Sequence, residues 1–100
     1  MQRVTVKDLE AACARINRTV NGTDQRELWT RTEKGLAQTP DWYHLSGAYG
    51  GYALHRACSV NGAGESHGVS DVFGGHMPKR ELYERMQAFL RGIEAAKDAG

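Results

Sequence analysis

The four histidines are the side chains best suited to chemistry in this 100-residue chain. They are His44, His55, His67 and His76, spaced by roughly ten residues on different predicted elements. A zinc site usually contains closely spaced ligand pairs, because ligands one helical turn apart converge on one ion. His44 and His55 lie at similar distances on either side of Gly50, so a hairpin could bring these two together. The spacing otherwise favours surface or hydrogen-bonded histidines, and we expect neither a metal nor another cofactor.

Nucleophilic catalysis has little support in the sequence. Cys58 and His55 would lie on opposite faces of one strand, and Cys13 falls on the apolar stripe of a helix. We expect both cysteines to be reduced and mostly buried. The chain contains no P-loop. The prediction is a protein that is not an enzyme and has no catalytic residues, and a metal-dependent enzyme is the least favoured alternative.

The start of the second predicted helix combines features that favour anion binding. Flexible backbone at Gly74 and Gly75 leads through His76 to Lys79 and Arg80. Helix N-termini favour anions, and the two cations add positive charge. The alternative is an ordinary solvated helix end, since basic residues are common on exposed helix faces.

The aromatic and glycine-rich segment 42–52 is the second candidate contact region. Once Tyr43 and Tyr52 are assigned to the core, Trp42 and Tyr49 remain, and exposed aromatic side chains are typical binding anchors. The alternative for Trp42 is packing against Trp29 or under the preceding loop. The full set of predicted contact residues is Trp42, Tyr49, Arg56, His76, Lys79 and Arg80.

Hydrophobic periodicity predicts the elements that position these residues. A helix is expected from about Val6 to Val20, after a Thr5–Asp8 capping box. The second helix is expected from Pro78, with a frayed end over residues 95–100. Strands are predicted at 27–32, 36–39, 42–46, 52–58 and 68–73.

These elements predict a single domain over residues 1–100, of the α+β class. A helix, a three- to four-stranded antiparallel meander and a second helix would form two layers, with both helices on one sheet face. The predicted core is Leu9, Ile16, Tyr43, Leu45, Leu54, Leu82, Met86 and Phe89.

Charge and hydropathy narrow the class of partner. The formal net charge of +1 is no signature of general nucleic-acid binding, which needs a concentrated positive field. No apolar run approaches the length of a membrane span, and the N-terminus resembles no secretory signal, so we expect a cytoplasmic protein without membrane contact. Asn17 and Asn21 match the glycosylation sequon, but without a secretory signal we expect neither to be glycosylated.

One stretch of the chain resembles a group of known proteins. The segment YHLSGAYGGYALHR (43–56), followed by 68–72 and Lys79–Tyr83, is similar to small uncharacterised proteins of tailed bacteriophages. The similarity covers Trp42 to Ile93. It implies an accessory binding protein in a bacterial host cell, acting on a host or phage macromolecule, with host takeover or anti-defence as possible purposes. A host or phage protein is the expected partner.

A nucleic-acid partner is the main alternative. The order helix–strands–helix, with Lys79 and Arg80 opening the second helix, resembles the double-stranded RNA-binding domain. The chain lacks that family's lysine-rich run and its loop motif, so the resemblance is limited to topology and these two cations.

Overall fold

The computed structural model describes residues 3–26, 28–33, 35–39, 41–57 and 69–99. Cys58, His67 and the side chain of Trp29 lie outside the described part. The elements are α1 (Val6–Asn21), β1 (Trp29–Thr32), β2 (Gly35–Gln38), β3 (Tyr43–Ala48), β4 (Gly51–Ala57), β5 (Val69–Asp71) and α2 (Lys79–Ala99).

Local capping explains where α1 begins and ends. The Asp8 amide donates to the Thr5 hydroxyl, and the Thr5 amide donates to the Asp8 carboxylate. These bonds satisfy amides that have no partner within the helix, which confirms the predicted capping box. At the other end Gly22 adopts a left-handed φ of 76° and donates its amide to the Arg18 carbonyl oxygen.

The predicted α+β class is confirmed. Strands β3, β4 and β5 form an antiparallel sheet in that order, while β1 and β2 form a separate hairpin. The β3–β4 register places Leu45 opposite Leu54 and His44 opposite His55. Because side chains alternate along a strand, these two pairs lie on opposite faces of the sheet.

Both helices pack on the sheet face that carries Tyr43 and Leu54, so the predicted two-layer arrangement is confirmed. The buried cluster there consists of Leu9, Ala12, Cys13, Ile16, Tyr43, Leu54, Leu82, Met86 and Leu90. Leu45 and Phe89, which complete the predicted core, are partly buried against this cluster.

The C-terminal turns of α2 differ from the prediction. The helix continues to Ala99 instead of fraying from residue 95. Contacts with α1 account for the difference: Arg15 forms an ion pair of 2.9 Å with Glu94, and the Lys97 ammonium donates to the Thr19 carbonyl oxygen. Neither described helix combines the length and apolar character that a membrane span requires.

A buried polar group joins α1 to the edge of the sheet. Asn17 is only 3% exposed. Its side-chain amide donates to the Tyr43 carbonyl oxygen and its side-chain oxygen accepts from the Tyr43 amide, both at 2.9 Å. The Asn17 side chain thus forms the two hydrogen bonds that a neighbouring strand would form with β3. It provides partners for buried Tyr43 backbone groups that have none within the sheet.

Cys13 lies one helical turn from Asn17 and is confirmed as a free, buried cysteine. Its thiol donates to the Tyr43 carbonyl oxygen at 3.4 Å. Burial raises the pKa of Cys13 to about 12. The thiol therefore stays protonated at neutral pH, as expected for a structural rather than a nucleophilic cysteine.

Replacing Asn17 should destabilise the protein strongly. Asn17→Ala would leave the buried Tyr43 amide without a partner and the Tyr43 carbonyl oxygen with only the weak Cys13 thiol donor, so we expect the free energy of unfolding to fall by about 3 kcal/mol. Urea unfolding measures this. Lys7→Ala on the exposed side of α1 is the control and should change stability by no more than about 0.5 kcal/mol. Equal stability of both variants would contradict the structural role of Asn17.

Candidate binding surface at the β3–β4 turn

The turn between β3 and β4 presents an aromatic side chain on unusual backbone. Tyr49 and Gly50 connect Ala48 to its partner Gly51 and have φ values of 54° and 72°. Two positive φ values in a two-residue loop define a type I′ turn, whose first position usually holds Asn, Asp or Gly. A left-handed conformation costs an ordinary residue about 1 kcal/mol. Tyr49 nevertheless occupies this position and is 96% exposed.

A single β-bridge brings the start of α2 to this turn. The Tyr52 amide donates to the Met77 carbonyl oxygen, and the Met77 amide donates back to the Tyr52 carbonyl oxygen, both at 2.9 Å. Gly51 makes this approach possible, because a Cβ atom there would lie 2.8 Å from the Met77 carbonyl oxygen. The bridge fixes the two residues that follow, Pro78 and Lys79, beside the turn.

The turn and the helix start form one groove of about 590 Å³, which we name the turn groove. Its lining residues are Gly47, Ala48, Gly50, Gly51, Tyr52, Pro78 and Lys79. The sequence predicted two separate contact regions, and the tertiary structure places part of each on this surface. Most of the floor is glycine and alanine, so a partner can approach the backbone closely.

The backbone at Gly74 and Gly75 does not serve the role expected from the sequence. The Gly74 amide donates to the Asp71 carboxylate at 3.1 Å. Partial burial raises the pKa of Asp71, but backbone hydrogen bonds from Gly75, Gly74 and Phe73, together with the nearby His55, lower it to below its ordinary value. These amides already hold an anionic group of the protein itself, which leaves Lys79 as the feature of the helix start that faces the groove.

Two of the predicted contact residues lie at the other end of the β3–β4 hairpin. Arg56 is the register partner of Tyr43, five residues along β4 from Gly51, or roughly 16 Å at the usual rise per residue. It is exposed and lies 3.9 Å from an Asp41 carboxylate oxygen. Trp42 is near this same end of the hairpin. The structure therefore does not bring these residues to the turn groove.

Trp42 is only 6% exposed, so it is not an exposed anchor and agrees with the alternative that its side chain is covered. The Ala57 amide donates to the Trp42 carbonyl oxygen, and the Ala57 carbonyl oxygen accepts from the Asp41 amide. Asp41 and Trp42 therefore both lie opposite the single residue Ala57 of β4. Such a bulge interrupts the alternation of side chains that the sequence analysis assumed. Trp42 instead borders a recess that Cys13 and Asn17 of α1 also line.

The remaining predicted residues lie close to the groove. His76 precedes the bridging Met77, and its ring is 5.7 Å from the Tyr49 ring between centroids. Arg80 follows Lys79 and forms an i,i+4 ion pair of 3.4 Å with Glu84. Of the predicted residues, Lys79 therefore lines the groove, Tyr49 lies between two lining residues, and His76 contacts the Tyr49 ring.

A row of histidines lies on the sheet face opposite the helices. His44 and His55 are direct cross-strand partners with ring centroids 5.5 Å apart, and the His55 and His76 rings are 6.0 Å apart. The Nε2 atom of His55 is 3.8 Å from an Asp71 carboxylate oxygen. We call His44, His55 and His76 the imidazole row. The offset of His44 and His55 from Gly50 indicated that these two could meet, whereas nothing in the spacing indicated His76.

The imidazole row is not arranged as a metal centre. Within the described ranges, no three His, Cys, Asp or Glu side chains are placed to hold an ion. The Nε2 atom of His44 is buried and has no hydrogen-bond partner. Burial lowers the pKa of His44, and the proximity of His55 lowers it further, against a smaller opposing effect of the Leu45 backbone. The row therefore favours neutral imidazole at His44.

Comparison of the chain with known protein families, curated proteins and solved structures gives no match. The resemblance to bacteriophage proteins therefore stays a prediction, and the function has to be argued from the site itself.

The Tyr52–Met77 bridge should depend on the absence of a side chain at Gly51. In Gly51→Ala the added methyl group would collide with Met77 backbone, so we expect destabilisation by about 1–3 kcal/mol and faster amide exchange at Tyr52 and Met77. Gly92→Ala is the matched control, because a Cβ at this α2 position meets nothing within 4 Å. It should stabilise the helix by about 0.5–1 kcal/mol. Similar effects of both substitutions would contradict the assigned role of Gly51.

The pKa of His44 predicts a weaker fold in mild acid. Its folded-state pKa lies below the unfolded value of 6.5, so the unfolded chain binds more protons between these two values. The free energy of unfolding should fall as the pH decreases below about 6.5, and it should be insensitive to His44 above that pH. Asp71 stays ionised in this window and contributes a constant amount, because its lowered pKa matters only near pH 4 and below.

Urea unfolding of the parent and of His44→Gln at about pH 7.5 and 5.5 tests this linkage. The parent should lose more stability between the two conditions than the variant does. An equal loss in both proteins would show that His44 is not the group responsible.

Proposed function

We propose that this protein is a non-enzymatic accessory binding protein of the bacteriophage type, which uses the turn groove to bind a macromolecule in the bacterial cytoplasm. The observation that carries the proposal is Tyr49, an almost fully exposed aromatic residue on left-handed backbone, which lies in the chain between two residues that line the groove, Ala48 and Gly50. A residue that is unfavourable for folding and serves no core is typical of a binding site.

The neighbouring groups indicate the chemistry of the partner. Tyr49 offers a large ring with a hydroxyl group, Lys79 supplies positive charge, and the glycine floor allows close backbone approach. A partner that inserts a segment carrying an acidic side chain fits these three features. These features support our proposal of a host or phage protein as the partner.

Local charge argues against nucleic acid as the main partner. Arg80 and Arg85 each form an i,i+4 ion pair, with Glu84 and Glu81 respectively. Among the described residues that line the groove, Lys79 is the only basic one. A nucleic-acid interface usually has several cations on phosphates, and its affinity falls steeply with salt.

Replacing Tyr49 should separate binding from folding. Tyr49→Asn supports a left-handed residue at lower cost, so we expect the free energy of unfolding to rise by about 0.5–1 kcal/mol. Binding to a protein partner from bacterial lysate should weaken by at least about tenfold, as expected for loss of an aromatic anchor. Affinity capture followed by titration of the identified partner measures this. Unchanged affinity in the more stable variant would refute the role of Tyr49.

A pair of cation variants tests the groove itself. Lys79→Ala removes the groove cation, while Arg91→Ala removes an exposed cation about three turns further along α2. Only the first should weaken binding. Duplex RNA and DNA should bind weakly or not at all, and tight nucleic-acid binding that falls steeply with salt would favour the alternative function.

A further inference from the structure

The outer edge of β3 carries backbone groups that point away from the sheet. β3 is the first strand in the order β3–β4–β5, so only one of its edges is paired. The Tyr52 amide and carbonyl oxygen bond to the start of α2, and the Leu54 carbonyl oxygen accepts from the Val72 amide. The backbone groups of Tyr52 and Leu54 therefore point away from β3. Bonded and non-bonded pairs alternate along an antiparallel ladder, so the backbone groups of their partners Gly47 and Leu45 point outward.

This edge is covered at one position and open at the next two. Asn17 holds the Tyr43 amide and carbonyl oxygen. In the described part of the chain, no residue bonds to the backbone of Gly47, and none accepts from the Leu45 amide. Charged side chains, proline or a bulge usually block a free strand edge. Residues 45–48 have none of these, so the edge can accept another strand there.

A recess of about 400 Å³ lies beside Leu45, between β3 and α1. Its walls combine apolar surface with charges of both signs, and they include Cys13, Ala14, Trp42, Glu10, Asp24 and Arg26. Because Asp24 is already paired with Arg18, the remaining charges balance and the recess favours a neutral side chain. Cross-strand partners share a face of the sheet, and Leu45 lies on the face that carries the helices. A residue that pairs with Leu45 therefore directs its side chain into this recess.

The next open position adjoins the turn groove. Gly47 lines that groove together with Lys79. Lys79 forms no ion pair with any residue of the described ranges. A side chain opposite Gly47 lies on the same face as one opposite Leu45, about 7 Å away along the strand. A carboxylate there is attracted by Lys79, and Gly47 has no side chain to keep it away.

We propose that the free edge of β3 binds an extended segment of a partner protein as an additional antiparallel strand. The segment carries an acidic residue opposite Gly47 and, two residues later, an apolar residue whose side chain fills the recess beside Leu45. In such strand addition the main-chain hydrogen bonds supply affinity and the alternate side chains supply specificity. The antiparallel direction follows the rest of the sheet and is the more stable pairing. The acidic residue rests on the proposed function of the turn groove, whereas the strand pairing does not.

A second copy of the chain fits this edge less well. Two β3 edges that pair symmetrically about Ser46 place Gly47 of one copy opposite Leu45 of the other. Glycine has no side chain, so the recess stays empty in both copies. A segment with an apolar side chain at that position fills it.

The capped peptide Thr-Glu-Val-Leu-Thr presents this pattern, with its Glu opposite Gly47 and its Leu opposite Leu45. Amide hydrogen exchange on the intact protein measures the pairing. At saturating peptide we expect exchange of the Leu45 and Gly47 amides to slow by at least about tenfold, while the Ser46 amide, which faces β4, is unchanged. Unchanged exchange of Leu45 and Gly47 in millimolar peptide would overturn the proposal. Slowing that appears without peptide as the protein concentration rises would also overturn it, because a second copy would then be the occupant.

Two methylated peptides test the main-chain hydrogen bonds. An N-methyl group on the peptide Glu removes the amide that donates to the Gly47 carbonyl oxygen, so binding should weaken by at least about tenfold. The same group on the peptide Val is the matched control, because that amide points away from β3 in an antiparallel pair. Equal losses for the two peptides would contradict strand addition.

Protein variants test the recess and the groove separately. Ala14→Leu fills the recess and should weaken peptide binding by at least about fivefold, whereas Ala11→Leu on the exposed side of α1 should not. Equal affinity of these two variants would overturn the assignment of the recess. Lys79→Ala should weaken binding of the Glu peptide but not of its Gln counterpart. If Leu45 and Gly47 are protected without this dependence on Lys79, the role of the turn groove is refuted and the added strand is upheld.

Discussion

The pairing of the Asn17 carboxamide with the Tyr43 peptide group is the interaction on which the rest of the structure depends. β3 is the outer strand of its sheet, and its backbone at Tyr43 is buried against α1. A buried amide and carbonyl without partners would oppose packing of the helix at that position. Asn17 removes this conflict, and Asn21 extends the network by donating to the Asn17 oxygen and to the Asp41 carbonyl oxygen. The helix is thereby held at one position along the strand.

That position in turn determines where the candidate binding surface lies. With α1 fixed on β3, α2 packs beside α1 over the same sheet face, held at its far end by the Arg15–Glu94 ion pair. The start of α2 then reaches the β3–β4 turn, where Gly51 admits the Met77 backbone. The turn groove thus exists because α2, which is anchored by its buried apolar face, begins beside a hairpin turn. Gly51 at that turn has no side chain to keep the Met77 backbone away.

The two faces of the sheet have different chemistry for the same geometric reason. Alternation along β3 and β4 sends Tyr43 and Leu54 toward the helices and His44 and His55 to the other side. The apolar face is filled by helix side chains, while the imidazole face carries one carboxylate, Asp71, among the described groups that face the row. Asp71 also accepts a hydrogen bond from the Gly74 amide, in the segment that leads from β5 to α2.

The sequence by itself determined the helices, the strand alternation and the two-layer core, because the capping box, the apolar stripe and the period of two are local signals. It also indicated that His44 and His55 could meet across Gly50. Only the tertiary structure decided that Trp42 is buried, since that follows from a bulge opposite Ala57. The same holds for Asn17 as the partner of Tyr43, for the groove shared by the turn and α2, and for His76 joining the row. Each of these depends on which distant backbone groups come into contact, and that is set by packing between elements rather than by the residues within any one of them.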